Sequence, residues 1–180
     1  MPSPPALTAP AGSTITVRLP ADFTAFCQLH HPTYLHYTHL RVTHAPQAER
    51  LVEAALGDLA TIWPQALASP NTPATAWHLL TTRINWFQRT TPAPRSDPLH
   101  TLLPHPEADA ALLCGIIGLT PTHSADITGS TPTTITGLLT AFHRRLTTPT
   151  GTQLRARWHH LNTQPLRGHT GDQERVPRER

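Results

Sequence analysis

Apolar residues recur at steps of three and four along the first half of the chain, as amphipathic helices require. The clearest stretch is APQAERLVEAALGDLATIW, in which Pro46 suits a first helical turn and Pro64 ends the pattern. A second stretch, SPNTPATAWHLLTTRINWFQR, begins with Asn71 or Thr72 as a helix N-cap. Because the alternation typical of strands is absent, residues 21–90 are predicted to form an all-helical bundle.

Another helix is predicted to begin near Pro20, because Phe23, Phe26 and Cys27 follow at helical spacing. The dipeptide His31-Pro32 is expected to interrupt or kink it. Two tryptophans of the following segments, Trp63 and Trp77, lie on apolar faces and are predicted to be core residues.

Proline-rich stretches divide the chain. Residues 1–20 are rich in Pro, Ala, Thr and Ser and are predicted to be disordered. Residues 91–105, TPAPRSDPLHTLLPH, contain four prolines and are predicted to be a linker. Residues 149–180 are predicted to be a basic, partly disordered tail that is helical at most around TQLRARWHHL.

Residues 106–148 contain the stretch GLTPTHSADITGSTPTTITGLLTAFHRRL, which has the spacing of two short helices around a tight turn. Gly129 is expected in the turn, where a left-handed backbone conformation costs little only for glycine. Thr131-Pro132 supplies an N-cap and a first-turn proline for the second helix. The predicted unit is a helix-turn-helix, a motif that places its second helix in the DNA major groove.

Charge weakens the case for autonomous DNA binding. The formal charge is +3 and all 14 basic residues are arginines. Six of these arginines lie from residue 149 onward, against Asp172, Glu174 and Glu179, so the tail alone supplies a net +3. The basic balance that usually hints at nucleic acid is therefore a property of the tail.

Other classes of protein receive no support from the sequence. It has no apolar run long enough to span a membrane and no secretory signal, so a cytoplasmic protein without a membrane partner is expected. Cys27 and Cys114 lie in different segments. Cys27, His30 and His31 lie close together, but no CxxC or second ligand pair at zinc spacing accompanies them. Asp97, His100 and His105 lack a nucleophile motif, so neither an enzyme nor a metal or cofactor site is predicted.

The order of these pieces resembles the extracytoplasmic-function type of bacterial RNA polymerase sigma factor, in which a helical second region is joined to a helix-turn-helix fourth region by a flexible linker. AERLVEAALGDLATIW is similar to the family helix that docks on the polymerase clamp helices, with Arg50 where aspartate is usual. NTPATAWHLLTTRI is similar to the next element, in which Ala76-Trp77 opens the helix that faces the minus-ten promoter element. In the C-terminal unit the family's frame is matched without a gap at Gly118, Leu119, Ala125, Gly129, Thr134, Ile135 and Leu146.

The resemblance implies a region 2-like domain over residues 21–90 and a region 4-like domain over residues 106–148. It also implies that core RNA polymerase is bound through the helix that carries Glu49, Arg50, Glu53 and Asp58. Contacts to single-stranded DNA are predicted for Arg83, Asn85, Trp86 and Arg89, which provide a reduced basic and aromatic face.

The second helix of the helix-turn-helix departs from the family's pattern. Thr136, Gly137 and Leu138 stand where the recognition helix usually carries basic or polar residues. The remaining candidates for DNA contact are Thr131, Thr133, Thr134, Thr136, Arg144 and Arg145, of which only the two arginines bring charge.

Two functions follow. The first is a transcription initiation protein that binds core RNA polymerase and contributes to promoter recognition, with DNA affinity that is weak or depends on the polymerase. The second is a degenerate sigma-like interaction module that binds polymerase, an anti-sigma protein or another regulator without promoter melting.

Overall fold

The computed structural model of the chain describes residues 19–42, 44–91 and 98–163. Within these ranges the chain is helical with no strand, so the predicted all-α class is confirmed there. Most of the predicted N-terminal segment, the first part of the predicted linker and the end of the tail lie outside the described residues. The α-helices are α1 (Ala21–Arg41), α2 (Ala45–Thr61), α3 (Trp63–Ala68), α4 (Thr72–Thr90), α5 (Leu99–Leu102), α6 (His105–Ala110), α7 (Pro121–Thr128), α8 (Pro132–Thr147) and α9 (Thr152–Thr163).

Helix α1 is not interrupted at Pro32, which lies inside it. Proline removes the backbone hydrogen bond to the carbonyl four residues earlier, which belongs to Gln28. Both Pro32 and Gln28 are exposed, so water can solvate that carbonyl. The opposite face of α1 is buried through Phe23, Tyr34 and Tyr37, and this burial maintains the helix across the proline.

Helices α1, α2 and α4 pack together, with α2 against both of the others. Trp63 and Trp77 are buried, as predicted. The Trp63 ring meets Phe23 edge-on with 5.1 Å between centroids, and the Trp77 ring lies 4.6 Å from that of Tyr37. Asn71 caps α4 by accepting a hydrogen bond from the Ala74 amide at 3.0 Å, which confirms one of the two predicted caps.

The second half of the predicted linker is packed. Residues 98–105 include the single-turn helix α5, and both Leu99 and Leu103 are buried in the main apolar cluster. The prolines at 98 and 104 stand at N-cap positions of α5 and α6, where a missing amide hydrogen costs little. In these residues the proline content therefore marks helix starts.

Helices α7 and α8 lie on either side of a tight turn at Gly129, in the stretch predicted as a helix-turn-helix. Gly129 follows α7 with φ +67°, and the Thr131 hydroxyl caps α8 by accepting from the Thr134 amide at 3.1 Å. A π-helical segment, Ala111–Ile116, joins α6 to this motif. Within this segment the Cys114 sulfur lies 3.0 Å from the Ser124 hydroxyl oxygen. The buried side includes Ala125, Ile135 and Phe142.

Helix α9 converts the first part of the predicted tail into a packed element. The Trp158 ring occupies the space that a side chain at position 115 would fill, which only glycine leaves open. The same ring meets Phe142 edge-on at 4.9 Å between centroids. Leu154 is buried beside them in the main cluster.

The N-terminal part (α1 to α4) and the C-terminal part (α5 to α9) contact one another. One buried cluster includes residues of both parts, α7 packs on α4, and α1 packs on the π-helical segment. Packing within each part is more extensive than packing between them. In the described residues, no helix combines the length and apolar character needed to cross a membrane.

Candidate functional site

The four residues of α4 that are predicted to contact single-stranded DNA fall into two groups. Trp86 and Arg89 are exposed, whereas Arg83 and Asn85 are hydrogen-bonded within the protein. His78, Thr82, Trp86 and Arg89 lie along one face of α4 at helical spacing and are all exposed. Trp86 is 61% exposed, which is high for a tryptophan. Arg89 forms no ion pair among the described residues, and its last-turn position also complements the helix dipole. These side chains are open to a ligand.

Arg83 is engaged within the protein. Its Nε donates to Oδ2 of Asp58 at 2.5 Å and its Nη2 donates to Oδ1 at 2.6 Å, which is a two-pronged pair. The hydrogen bonds that Arg83 donates to Asp58 raise the pKa of the guanidinium further above its ordinary value. Asp58 is predicted to contact polymerase and Arg83 to contact DNA. The pair therefore joins one residue of each predicted binding surface.

Asn85 is also engaged, on the inner edge of α4. Its Oδ1 accepts a hydrogen bond from Nη2 of Arg41 at 2.9 Å. The same Nη2 donates to Oε1 of Gln88 at 3.1 Å, and the Gln88 amide donates back to the Arg41 carbonyl at 2.8 Å. The amide oxygen that would contact a nucleotide therefore already has a partner.

Arg41 is 1% exposed and lies at the centre of a polar cluster between the two parts. Its Nη1 donates to the Tyr37 hydroxyl at 2.6 Å and lies 3.0 Å from Nε2 of His100 and 3.7 Å from the Asp109 carboxylate. Tyr37 donates to Asp109 through a short hydrogen bond, and Nε2 of His100 lies 2.7 Å from the same carboxylate oxygen. Burial and the Asp109 charge raise the pKa of the Tyr37 phenol well above its ordinary value, so the hydroxyl stays protonated and donates.

On α8, the predicted threonine contacts lie on the exposed side. Thr131, Thr133, Thr134 and Thr136 are all exposed at the first turns of the helix. The Thr136 hydroxyl donates to the Pro132 carbonyl at 2.9 Å, and the Thr131 hydroxyl is used as the cap. These groups offer hydroxyl oxygens to a partner but no charge.

The two arginines at the end of α8 differ. Arg144 is exposed and forms no ion pair among the described residues. Arg145 pairs with Glu107 of α6, with 2.8 Å between Nε and Oε2 and 3.3 Å between Nη2 and Oε1. Glu107 is largely buried, so the charge of Arg145 is matched inside the C-terminal part.

The predicted polymerase contacts Glu49, Arg50 and Glu53 lie on the exposed side of α2. None of the three has an ion-pair partner in the part of the chain that the structure describes. The surface is therefore a mixed-charge face that is free for a protein partner, while Asp58 at its end is held by Arg83.

The basic tail contributes less free charge than its composition suggests. Nη1 of Arg155 donates to the carbonyls of Leu146 and Thr148 at 2.5 and 2.9 Å, and so satisfies the end of α8. Arg157 is exposed beside a groove between α5 and α9 that Leu102 and Gln153 also line. Within the described residues no group of three or more His, Cys, Asp or Glu side chains is arranged to hold a metal ion.

Sequence reasoning missed the roles of Arg41, Asp109 and Asn71 between the parts. Nδ2 of Asn71 donates to the Gly129 carbonyl at 2.5 Å, so the cap of α4 also holds the turn of the helix-turn-helix. One local signal existed for Arg41, which follows Tyr34 and Tyr37 on the apolar face of α1. A charged residue at such a position implies buried partners.

Comparison with known proteins assigns no family, since no family model, no curated protein and no solved structure matches the chain.

Proposed function

We propose that the chain is a sigma-like protein that binds core RNA polymerase and contributes to promoter recognition only within that complex. The observation that carries this proposal is the internal neutralisation of the candidate DNA-binding arginines. Arg83 is paired with Asp58 and Arg145 with Glu107, whereas the Glu49, Arg50 and Glu53 face of α2 is exposed and unpaired among the described residues. The charge distribution favours a protein partner over free DNA.

The salt dependence of DNA binding can be estimated from the number of candidate arginines that have no carboxylate partner. Of the four arginines predicted to contact DNA, only Arg89 and Arg144 remain without a carboxylate partner in the described ranges. Two phosphate contacts correspond to a slope of about −2 in log affinity against log salt, whereas strong binders make roughly six to ten such contacts. Affinity for DNA that is useful at physiological salt would have to come from a partner.

The polymerase face is tested by charge reversal. The full chain carrying both Glu49→Arg and Glu53→Arg is compared with wild type in binding to core RNA polymerase. Asp126→Arg, a charge reversal at an exposed position on α7, is the control. The double variant is expected to lose affinity at least about tenfold, because each reversal changes the local charge by two units. Equal binding by the double variant and wild type would remove α2 from the proposal.

A second candidate function is an interaction module that binds polymerase or a regulator without promoter melting. The contact between the two parts favours it, since Asn71 ties the start of α4 to Gly129. Run-off transcription with core enzyme separates the two candidates, together with a salt titration of DNA binding with and without core. A promoter-specific product and a steeper slope with core support the first, and a shallow slope in both cases supports the module.

A further inference from the structure

We infer that the Arg41 cluster, formed by Tyr37, Arg41, Asn85, Gln88, His100 and Asp109, is an autoinhibitory lock on the candidate nucleic-acid face of α4. This inference rests on the role proposed for that face. The lock operates because residues of the C-terminal part determine where the Arg41 side chain points, and Arg41 in turn occupies the acceptor groups of α4.

The Arg41 cluster contains side chains from both parts of the molecule. It brings together side chains from four helices: Tyr37 and Arg41 from α1, Asn85 and Gln88 from α4, His100 from α5 and Asp109 from α6. The residues that meet are up to 72 positions apart in the chain. The cluster therefore forms only when the C-terminal part is docked on the N-terminal part.

The buried position of Arg41 depends on its partners. A buried guanidinium is tolerated only when carboxylate and hydrogen-bond partners surround it. Asp109 supplies a negative charge 3.7 Å from Nη1 of Arg41. The Tyr37 hydroxyl donates to Asp109 and accepts from Arg41, so Asp109 also orients that hydroxyl toward Arg41. Loss of the Asp109 charge makes the inward position of Arg41 less favourable.

Arg41 occupies two amide oxygens of α4. When the Arg41 side chain points inward, its Nη2 donates hydrogen bonds to Oδ1 of Asn85 and Oε1 of Gln88. Both residues lie in the last turns of α4, beside Trp86 and Arg89. When Arg41 turns outward, two amide side chains and one further cation become available next to an exposed tryptophan, which together resemble a stacking and phosphate-binding face.

The contact between the parts is suited to opening. Packing between them is less extensive than packing within each, and it centres on α7 against α4 and on α1 against the π-helical segment. The Asn71 to Gly129 hydrogen bond lies at the other end of α4 from the cluster. The start of α4 is therefore bonded directly to the C-terminal part, whereas its end is linked to that part through Arg41 of α1.

The test uses the full-length chain with Asp109→Asn, which removes one negative charge from the cluster. The matched control is Asp126→Asn on α7, because Asp126 is exposed, forms no hydrogen bond or ion pair among the described residues, and loses the same charge. Binding of a fluorescein-labelled single-stranded DNA is measured by anisotropy at low salt, and hydrogen exchange of the α4 amides reports opening.

We expect Asp109→Asn to bind the DNA several-fold more tightly than Asp126→Asn and to exchange faster over residues 84–90. Equal DNA affinity in the two variants overturns the lock, since the charge change alone would then explain any gain. If Asp109→Asn does not fold by circular dichroism, Tyr37→Phe removes only the hydroxyl that bridges Arg41 and Asp109, and wild type is then the comparison.

The lock and the polymerase proposal fail separately. A gain in DNA binding by Asp109→Asn without any binding to core RNA polymerase supports the lock and overturns the polymerase partner. Binding to core polymerase with no difference between Asp109→Asn and Asp126→Asn overturns the lock and leaves the polymerase partner standing.

Discussion

Gly129 provides the most quantitative test of the contact between the two parts. Its φ of +67° is one that residues with a side chain rarely adopt. A Cβ at this position would also overlap the backbone nitrogen of Ala74 and the side-chain oxygen of Asn71, both at the start of α4. The substitution Gly129→Ala therefore combines a backbone cost with a steric cost that exists only if α4 lies against the turn.

Two other glycines separate these costs. Gly118 has φ +82° but open space where a Cβ would lie, so Gly118→Ala is expected to cost only the left-handed backbone term, about 1–2 kcal/mol. Gly129→Ala adds displacement of the α4 backbone, about 1–3 kcal/mol, and weakening of the Asn71 cap, about 1 kcal/mol. The expected total loss for Gly129→Ala is about 3–6 kcal/mol. Gly137 lies inside α8 with nothing within 4 Å, and Gly137→Ala is expected to stabilise the protein by about 0.5–1 kcal/mol.

The assay is equilibrium urea unfolding of the full chain, followed by circular dichroism at 222 nm with the three variants and wild type in one buffer. The quantity that decides is the difference between the losses for Gly129→Ala and Gly118→Ala, because the backbone term is common to both. A difference of about 2 kcal/mol or more is expected. If the two losses are equal, α4 does not lie against the turn and the packing of the two parts is refuted.

Three further outcomes follow from the contacts. Asp58→Ala is expected to cost less than about 1 kcal/mol of unfolding free energy, because the Asp58 and Arg83 side chains are both about 40% exposed. It is also expected to raise DNA affinity at low salt, because it releases Arg83. Unchanged affinity in an anisotropy titration would contradict the neutralisation of Arg83 by Asp58. Burial lowers the pKa of His30, and Asp126 offsets this in part, so below about pH 6.5 the unfolded chain binds more protons and stability falls as the solution is acidified. His30→Phe is expected to reduce this pH dependence in unfolding curves at several pH values, and an unchanged dependence would contradict the assignment to His30. Trp158→Ala empties the space beside Gly115 and Phe142 and is expected to lower the free energy of unfolding by about 2–4 kcal/mol. Hydrogen exchange over residues 152–163 is expected to become fast in this variant, and slow exchange there would show that the ring does not hold α9 in place.

The local features of the fold were predictable because they depend on neighbours in the chain. Asn71 and Thr131 could be recognised as caps, and Gly129 as a left-handed turn, since each need is set within a few residues. The tryptophans Trp63 and Trp77 could be placed in the core from helical periodicity alone.

Features that depend on tertiary packing were not predictable in this way. The dipeptide His31-Pro32 predicts an interruption or a kink in α1, and the prediction of an interruption is wrong. Burial of Tyr34 and Tyr37 on the opposite face outweighs the lost hydrogen bond. The stretch around Leu99 and Leu103 looked like linker because prolines flank it, whereas its leucines fill the core.

The same distinction between local features and tertiary packing applies to the candidate site. Exposure of Trp86 and Arg89 follows from their spacing on α4, and the structure agrees with it. The partners of Arg83 and Arg145 lie 25 and 38 residues away, so no local pattern reveals that their charges are matched. Counting arginines therefore overestimates the free positive charge that this chain presents to DNA.

The most direct test is a titration of the labelled full-length chain with core RNA polymerase at physiological salt, alongside a titration with promoter-length duplex DNA. We expect saturable one-to-one binding to the polymerase, with DNA bound by the free chain at least about a hundredfold more weakly. Absence of binding to the polymerase, or tight binding to DNA alone, would contradict the function proposed for this protein.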